Sequence, residues 1–226
     1  MSGAASLLDE LERNLTDDDR RRRAVAIRPG QGGRPSAVLI LIGPGPRGAG
    51  PDVLFVERAA TMRNHAGQIA LPGGAADPAD VDLAATALRE ATEETGLDPN
   101  GVRVLGSLPP AHVAISGFDV TAVVGWWERP APVRAADPGE VAAVHQVPIA
   151  ELMDPLNRAS AVHPSGYVGP AFTIGELFIW GLTAHLVDAV ADLAGWTVSW
   201  DRSLRVPVPA RFMTDRRATT GDHDQH

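Results

Sequence analysis

Residues 71–97 read LPGGAADPADVDLAATALREATEETGL: a glycine turn, an acidic connector and an amphipathic segment closed by Gly96. The spacing predicts a helix over 82–95 with Gly96 as its C-terminal stop. At about 100° per residue, Ala84, Ala87, Leu88 and Ala91 share one face, while Glu90, Glu93 and Glu94 gather roughly 120° away. The small apolar face suits close packing on a sheet. Three carboxylates within one turn repel one another unless cations sit among them, and hard divalent ions such as Mg²⁺ or Mn²⁺ bind through oxygen. Arg89 lies four residues before Glu93 and can fix its rotamer. A solvated helix face would also account for the glutamates. Pro72-Gly73-Gly74 ahead of the helix shifts the balance, because paired glycines let backbone approach a ligand closely.

Upstream, Ser36–Ile42 (SAVLILI) is a continuous apolar run, expected as a strand buried on both faces. Gly43-Pro44-Gly45-Pro46-Arg47-Gly48 then matches a dinucleotide-binding GxGxxG. Prolines stand where a helix should begin and another strand, Val53–Glu57, follows, so the segment reads as a hairpin loop. Gly67–Leu71, Val102–Leu108, Val120–Trp127 and Val144–Val147 are further expected strands. Helical turns are expected at Ile149–Met153 and over Leu177–Leu193. At the N-terminus, Leu7, Leu8, Leu11 and Leu15 have helical spacing, followed by Asp17–Asp19 and Arg20–Arg23, a self-neutralising connector. The polar segment after Trp200 is expected to be disordered. The partition is therefore 1–35, a helix with an Arg-rich connector; 36–200, the main domain; and 201–226, a tail. Strands and helices alternate without a regular βαβ rhythm, which favours an α/β fold with a mixed sheet.

Composition narrows the chemistry. The chain has 226 residues, no Cys and no Lys, so all 20 basic residues are Arg. Thiolate nucleophiles, Cys-ligated zinc, Schiff-base lysines and the Walker lysine are all excluded. A net charge of −8 argues against a dedicated duplex-DNA binder. No apolar run is long enough to span a membrane and the N-terminus carries acids, so a cytoplasmic protein is expected.

With these residues in view, the chain resembles the Nudix hydrolase family. That family's box runs G, five residues, E, seven residues, R-E-apolar-x-E-E-x-G-apolar. Its second half is matched by Arg89-Glu90-Ala91-Thr92-Glu93-Glu94-Thr95-Gly96-Leu97. The first half departs: the sixth residue after Gly74 is Asp80, and eight residues separate it from Arg89. The upstream residues Leu54-Phe55-Val56-Glu57-Arg58-Ala59, Arg63, Gly67 and Leu71-Pro72-Gly73-Gly74 are similar to the added signature of one branch, the coenzyme A pyrophosphatases. Three positions of that signature are replaced, by Phe55, Val56 and Leu71. Further likeness covers Val120–Gly125, Pro138–Val141 and Ile179–Ala184.

The resemblance implies an α/β/α sandwich with a mixed sheet and metal-dependent cleavage of coenzyme A or acyl-CoA to 4′-phosphopantetheine and 3′,5′-ADP. It implies Glu90, Glu94 and the Gly74 carbonyl as ligands of Mg²⁺ or Mn²⁺, and Glu93, Glu140 and Arg89 as the catalytic set. It further implies Arg58, Arg63, Gly67 and Gly73 at the substrate. Nothing points to a nucleic-acid or membrane partner; a small molecule is the expected one, and a homodimer stays open. Two other readings remain: hydrolysis of a nucleoside di- or triphosphate or ADP-ribose, and a ligand sensor on the same fold without turnover. His65 either touches ligand or is a surface imidazole. His112, His145, His163 and His185 lack paired ligand spacing. Trp126, Trp127 and Trp180 are read as packing residues.

Overall fold

The computed structural model describes residues 2–25, 28–45, 50–62 and 65–213. Helices α1 (Ser2–Leu15) and α2 (Asp18–Ala24) lead into strands β1 (Arg34–Pro44), β2 (Pro51–Arg58), β3 (Ile69–Ala70) and β4 (Gly73–Ala75). Helix α3 (Leu83–Thr95) follows, then β5 (Val102–Ser107), β6 (Ala111–Val113), β7 (Phe118–Trp127), β8 (Val141–Pro148) and α4 (Ile149–Met153). The last elements are β9 (Arg158–Val162), β10 (Val168–Ile174), β11 (Leu177–Ile179), α5 (Gly181–Leu193) and β12 (Arg205–Pro207).

The main sheet is mixed, as the irregular alternation predicts. β1 pairs in parallel with β7 along its length, from Arg34↔Phe118 to Ile42↔Trp126, and its other partners are antiparallel. The β1–β2 pairing Ile42↔Val53, Gly43↔Asp52 and Pro44↔Pro51 makes a hairpin of the GxGxxG segment, whose residues 46–49 lie outside the described part. Beyond that hairpin end β1 and β2 take different partners. β3 pairs with β2 at Val56 and Glu57, and β4 pairs with β1 at Ser36–Val38. The chain 69–75 therefore crosses from one strand to the other, which sets Pro72-Gly73-Gly74 inside the sheet. A Cβ at Gly73 would lie 2.3 Å from the Ala37 carbonyl oxygen and 2.6 Å from Val38 Cα, so only glycine permits this approach.

Alternation along β1 and β2 sorts side chains to two layers. Ala37, Leu39, Leu41 and Leu54 pack with Ala87 and Ala91 of α3, the small face read from the sequence. Ile40, Ile42, Val53 and Phe55 pack on the opposite side with α5 and with Leu11 and Leu15 of α1. This is an α/β/α sandwich. Asn14 ties α1 to the end of α5 by donating to the Leu193 carbonyl (2.6 Å). The side chain of Leu7 lies outside the described part.

Several expectations need correction. The segment Leu177–Leu193 is not one helix. Ile179 pairs with Phe172, Trp180 is extended, and Gly181 at φ +65° turns the chain into α5. The expected strand 67–71 shrinks to β3, because Gly67 is left-handed at φ +68°. A second sheet, β11-β10-β9-β12, was missed. Its strand β12 and the 3₁₀ turn Ala210–Phe212 fall in the expected tail, where Val208 and Phe212 are buried against Ala161, Ala171 and Phe178. Residues 214–226 of that tail lie outside the described part. Among the described residues no helix is long and apolar enough to cross a membrane.

Candidate active site

Three chain segments converge on the glycine crossing. The first is α3, started by Asp82, whose carboxylate accepts from the Ala85 amide, and ended by left-handed Gly96. Its Glu94 is almost completely buried and accepts from the Gly73 amide at 3.1 Å. Glu90 lies against Gly74, where an added Cβ would stand 2.5 Å from the carboxyl carbon. The second segment is the loop before β8. It runs beside the end of α3, with Arg134 and Ala136 amides donating to the Thr95 and Glu94 carbonyls, and it carries Glu140. The third is the end of β2. There the Ala59 amide donates to the Glu140 carbonyl (2.7 Å) and Thr61 Oγ1 to the Gly139 carbonyl (3.5 Å).

Electrostatics show which acids form a group. Burial is the main cause that raises Glu94 to about 7; the Gly73 amide and Arg58 oppose it, while Glu90 and Glu140 add to it. Glu90 is likewise raised, first by burial, with Arg89 opposing and Glu93 and Glu140 contributing. Glu90, Glu94 and Glu140 thus share one field. Glu93 stands apart from Glu94: its side chain is 60% exposed and accepts from Arg89 Nη1 at 3.2 Å.

Arg89 is engaged throughout by protein. Its Nε and Nη2 donate to the two oxygens of Asp80 at 3.0 and 3.1 Å, Nη2 also to the Ala75 carbonyl, and Nη1 to Glu90 at 2.9 Å. Asp80, read from the sequence as a departure from the box, is thus paired with the box arginine. It also accepts from Thr86 Oγ1 and the Asp77 amide, and the Arg89 guanidinium holds its carboxyl far below the usual carboxylate range. The charge type at that position was the available signal.

On the α5 side of the sheet a cleft of about 460 Å³ opens from Gly73 and Gly74. Arg58, His65, Gln68, Phe118 and Trp180 are among its lining residues. The Arg58 Nε is buried without a hydrogen-bond partner among the described residues. His65 is left-handed at φ +58°, the one such non-glycine among the described residues. Gly67 is set back from the cleft, near the ring of Phe212, and Arg63 lies outside the described residues. Gln68 and Phe118 carried no signal in the sequence. Trp180 does pack, on His163 and Tyr167, yet also faces the cleft.

A profile of the NUDIX domain matches residues 33–167. The chain belongs to the Nudix hydrolase family. A relative from Cronobacter sakazakii described as "Uncharacterized Nudix hydrolase NudL" is 41% identical over 165 residues, covering 70% of this chain and 81% of the relative. Its counterpart from Shigella flexneri is 37% identical over 197 residues, covering 82% and 98%. Among solved structures, the Nudix hydrolase RenU of M. smegmatis aligns at 18% identity with a TM-score of 0.48, covering 75% of this chain and 94% of that one.

The Nudix domain's donors at the crossing are all oxygen: Glu90, Glu94, Glu140 and the Gly74 carbonyl. Oxygen-only sets suit hard divalent ions, and Gly74 removes the Cβ that would fill the space beside Glu90. Among the described residues no three acidic or imidazole side chains stand close enough together to hold an ion. It is the donor chemistry, oxygen throughout, that suits Mg²⁺ or Mn²⁺.

Proposed function

We propose that the protein hydrolyses the diphosphate of coenzyme A or an acyl-CoA, giving 4′-phosphopantetheine and 3′,5′-ADP. The observation that carries this reading is Arg58, which lines the cleft and lies within the field of Glu94, inside the upstream signature Leu54 to Gly74. Glu90, Glu94 and the Gly74 carbonyl would hold Mg²⁺ or Mn²⁺. A bound divalent ion neutralises phosphate charge and makes water nucleophilic near neutral pH. Water adds to one phosphorus as the bridging P–O bond breaks, and the bridging oxygen leaves with the electron pair. Glu140, at the edge of the acidic group, accepts the proton lost by the attacking water. Arg89 is a positioning residue that locks Asp80, Glu90 and Glu93 into one unit. Arg58 offers guanidinium donors to the diphosphate, a geometry that lysine cannot supply. Glu93 stands outside this set.

Arg58→Ala tests the assignment. Loss of a charge-assisted contact of about 1.5 to 3 kcal/mol should raise KM for coenzyme A roughly 10- to 150-fold while kcat changes less. An unchanged KM would return Arg58 to a structural role. The competing nucleotide reading is tested by ranking kcat/KM for coenzyme A, ADP-ribose and nucleoside triphosphates with Mg²⁺ and Mn²⁺. Coenzyme A is expected first.

A further inference from the structure

The cleft beyond the glycine crossing has a direction. Val38 pairs with Gly73, Ser36 with both Ala75 and Val120, and Arg34 with Phe118. The lining thus follows β1 away from the acidic group for four residues, about 13 Å at 3.3 Å per residue. Val38, Leu71, Phe118, Val120, Leu182 and Leu186 form its apolar wall. Ser36, Gln68, Ser116 and Thr183 interrupt that wall with hydroxyl and amide groups.

Among the described lining residues Arg58, within the field of Glu94, is the single permanent cation, and His65 is the one other group able to carry positive charge. The nearby Arg34 stacks on the Phe118 ring at 4.2 Å and is not part of the lining. His112 is held by Asp119 at 2.7 Å.

We propose that this cleft receives the pantetheine arm of the substrate, thiol end toward Phe118, and leaves the adenosine 3′-phosphate outside. The inference rests on the coenzyme A reading above. The two halves of that substrate differ in the property the cleft sorts by. The nucleotide half carries a 3′-phosphate dianion, and burying it along a wall whose described residues offer no cation beyond Arg58 and His65 would be strongly unfavourable. The pantetheine half is uncharged: a dimethyl-branched carbon, two amides and a thiol. Apolar walls with a few placed hydroxyl and amide groups are what such a chain requires.

Each product should inhibit the enzyme through its own subsite. Phe118→Ala and Leu182→Ala, both at half-buried positions, should weaken inhibition by 4′-phosphopantetheine at least about tenfold and leave inhibition by 3′,5′-ADP within twofold. Phe118→Leu should recover most of the loss. The reverse pattern, or equal effects on both products, would overturn the assignment while coenzyme A turnover persisted. A second measurement uses the unaltered, metal-loaded protein and a coenzyme A thioether bearing benzophenone. Its photolabel is expected on residues 113–120, and labelling confined to other segments would likewise overturn it. Failure of the wild type to bind or cleave coenzyme A would sink the functional reading itself, a separate and recognisable outcome.

Discussion

Glu94 joins packing to chemistry at a single residue. Raised to about 7 by burial, it holds a proton near neutrality when no cation is bound. A carboxyl whose folded pKa exceeds its unfolded value costs stability as pH climbs between the two. At pH 8 the metal-free protein therefore carries a penalty of up to about 3 kcal/mol, which Glu94→Gln should relieve. That variant should melt no lower than wild type without metal, yet lose at least about 100-fold in kcat with it. Metal binding should release a proton near pH 6 to 7, readable by calorimetry in buffers of different ionisation enthalpy. A lower melting point with retained activity would make Glu94 structural. Asp80 has the opposite sign. Its folded pKa is depressed, so its stabilisation is present above the ordinary carboxylate range and lost as pH falls through the folded value. Asp80→Asn should lower the melting temperature at pH 7 and shrink the difference from wild type in strong acid. The glutamates and glycines of this site were legible because their spacing is local. Asp80 was not, since its partnership with Arg89 depends on how a loop closes.

At the scale of elements, α3, β1 and β7 could be read from period and composition because each buries a regular face. The second sheet escaped because its strands are short and owe their pairing to distant residues. One such dependence is the Arg158 side chain on β9, fully buried and bonded to Asp188 of α5. The Phe172 and Trp200 rings each lie 4.7 Å from its guanidinium carbon. Removing one partner of a buried pair strands the other charge, so Asp188→Ala should cost about 3 to 5 kcal/mol in chemical denaturation. Replacing both, as Arg158→Met with Asp188→Leu, should come close to neutral. Equal losses from the single and double variants would show that packing volume, not charge, matters there. The same distance argument explains the C-terminal correction: residues 205–212 (RVPVPARF) are too short and proline-rich to show a regular buried face in sequence, yet Val208 and Phe212 find a surface that only the assembled sheet provides.

For the whole molecule, one layer of the sandwich supplies the acids and the other walls the cleft. The two meet at Gly73 and Gly74, which pair with Val38 and Ala37 of β1. That division of labour needs α3, the loop of Glu140 and the end of β2 to meet, and the hydrogen bond from the Ala59 amide to the Glu140 carbonyl is where they are joined. The sequence could suggest the participants but not this meeting, because 80 residues of chain lie between Ala59 and Glu140. The most direct test is product analysis of purified protein incubated with coenzyme A and saturating Mg²⁺ or Mn²⁺. The predicted result is 4′-phosphopantetheine and 3′,5′-ADP in equal amounts, abolished by chelation. Intact coenzyme A beside efficient turnover of nucleotides or ADP-ribose, or no turnover of any diphosphate with either ion, would contradict it.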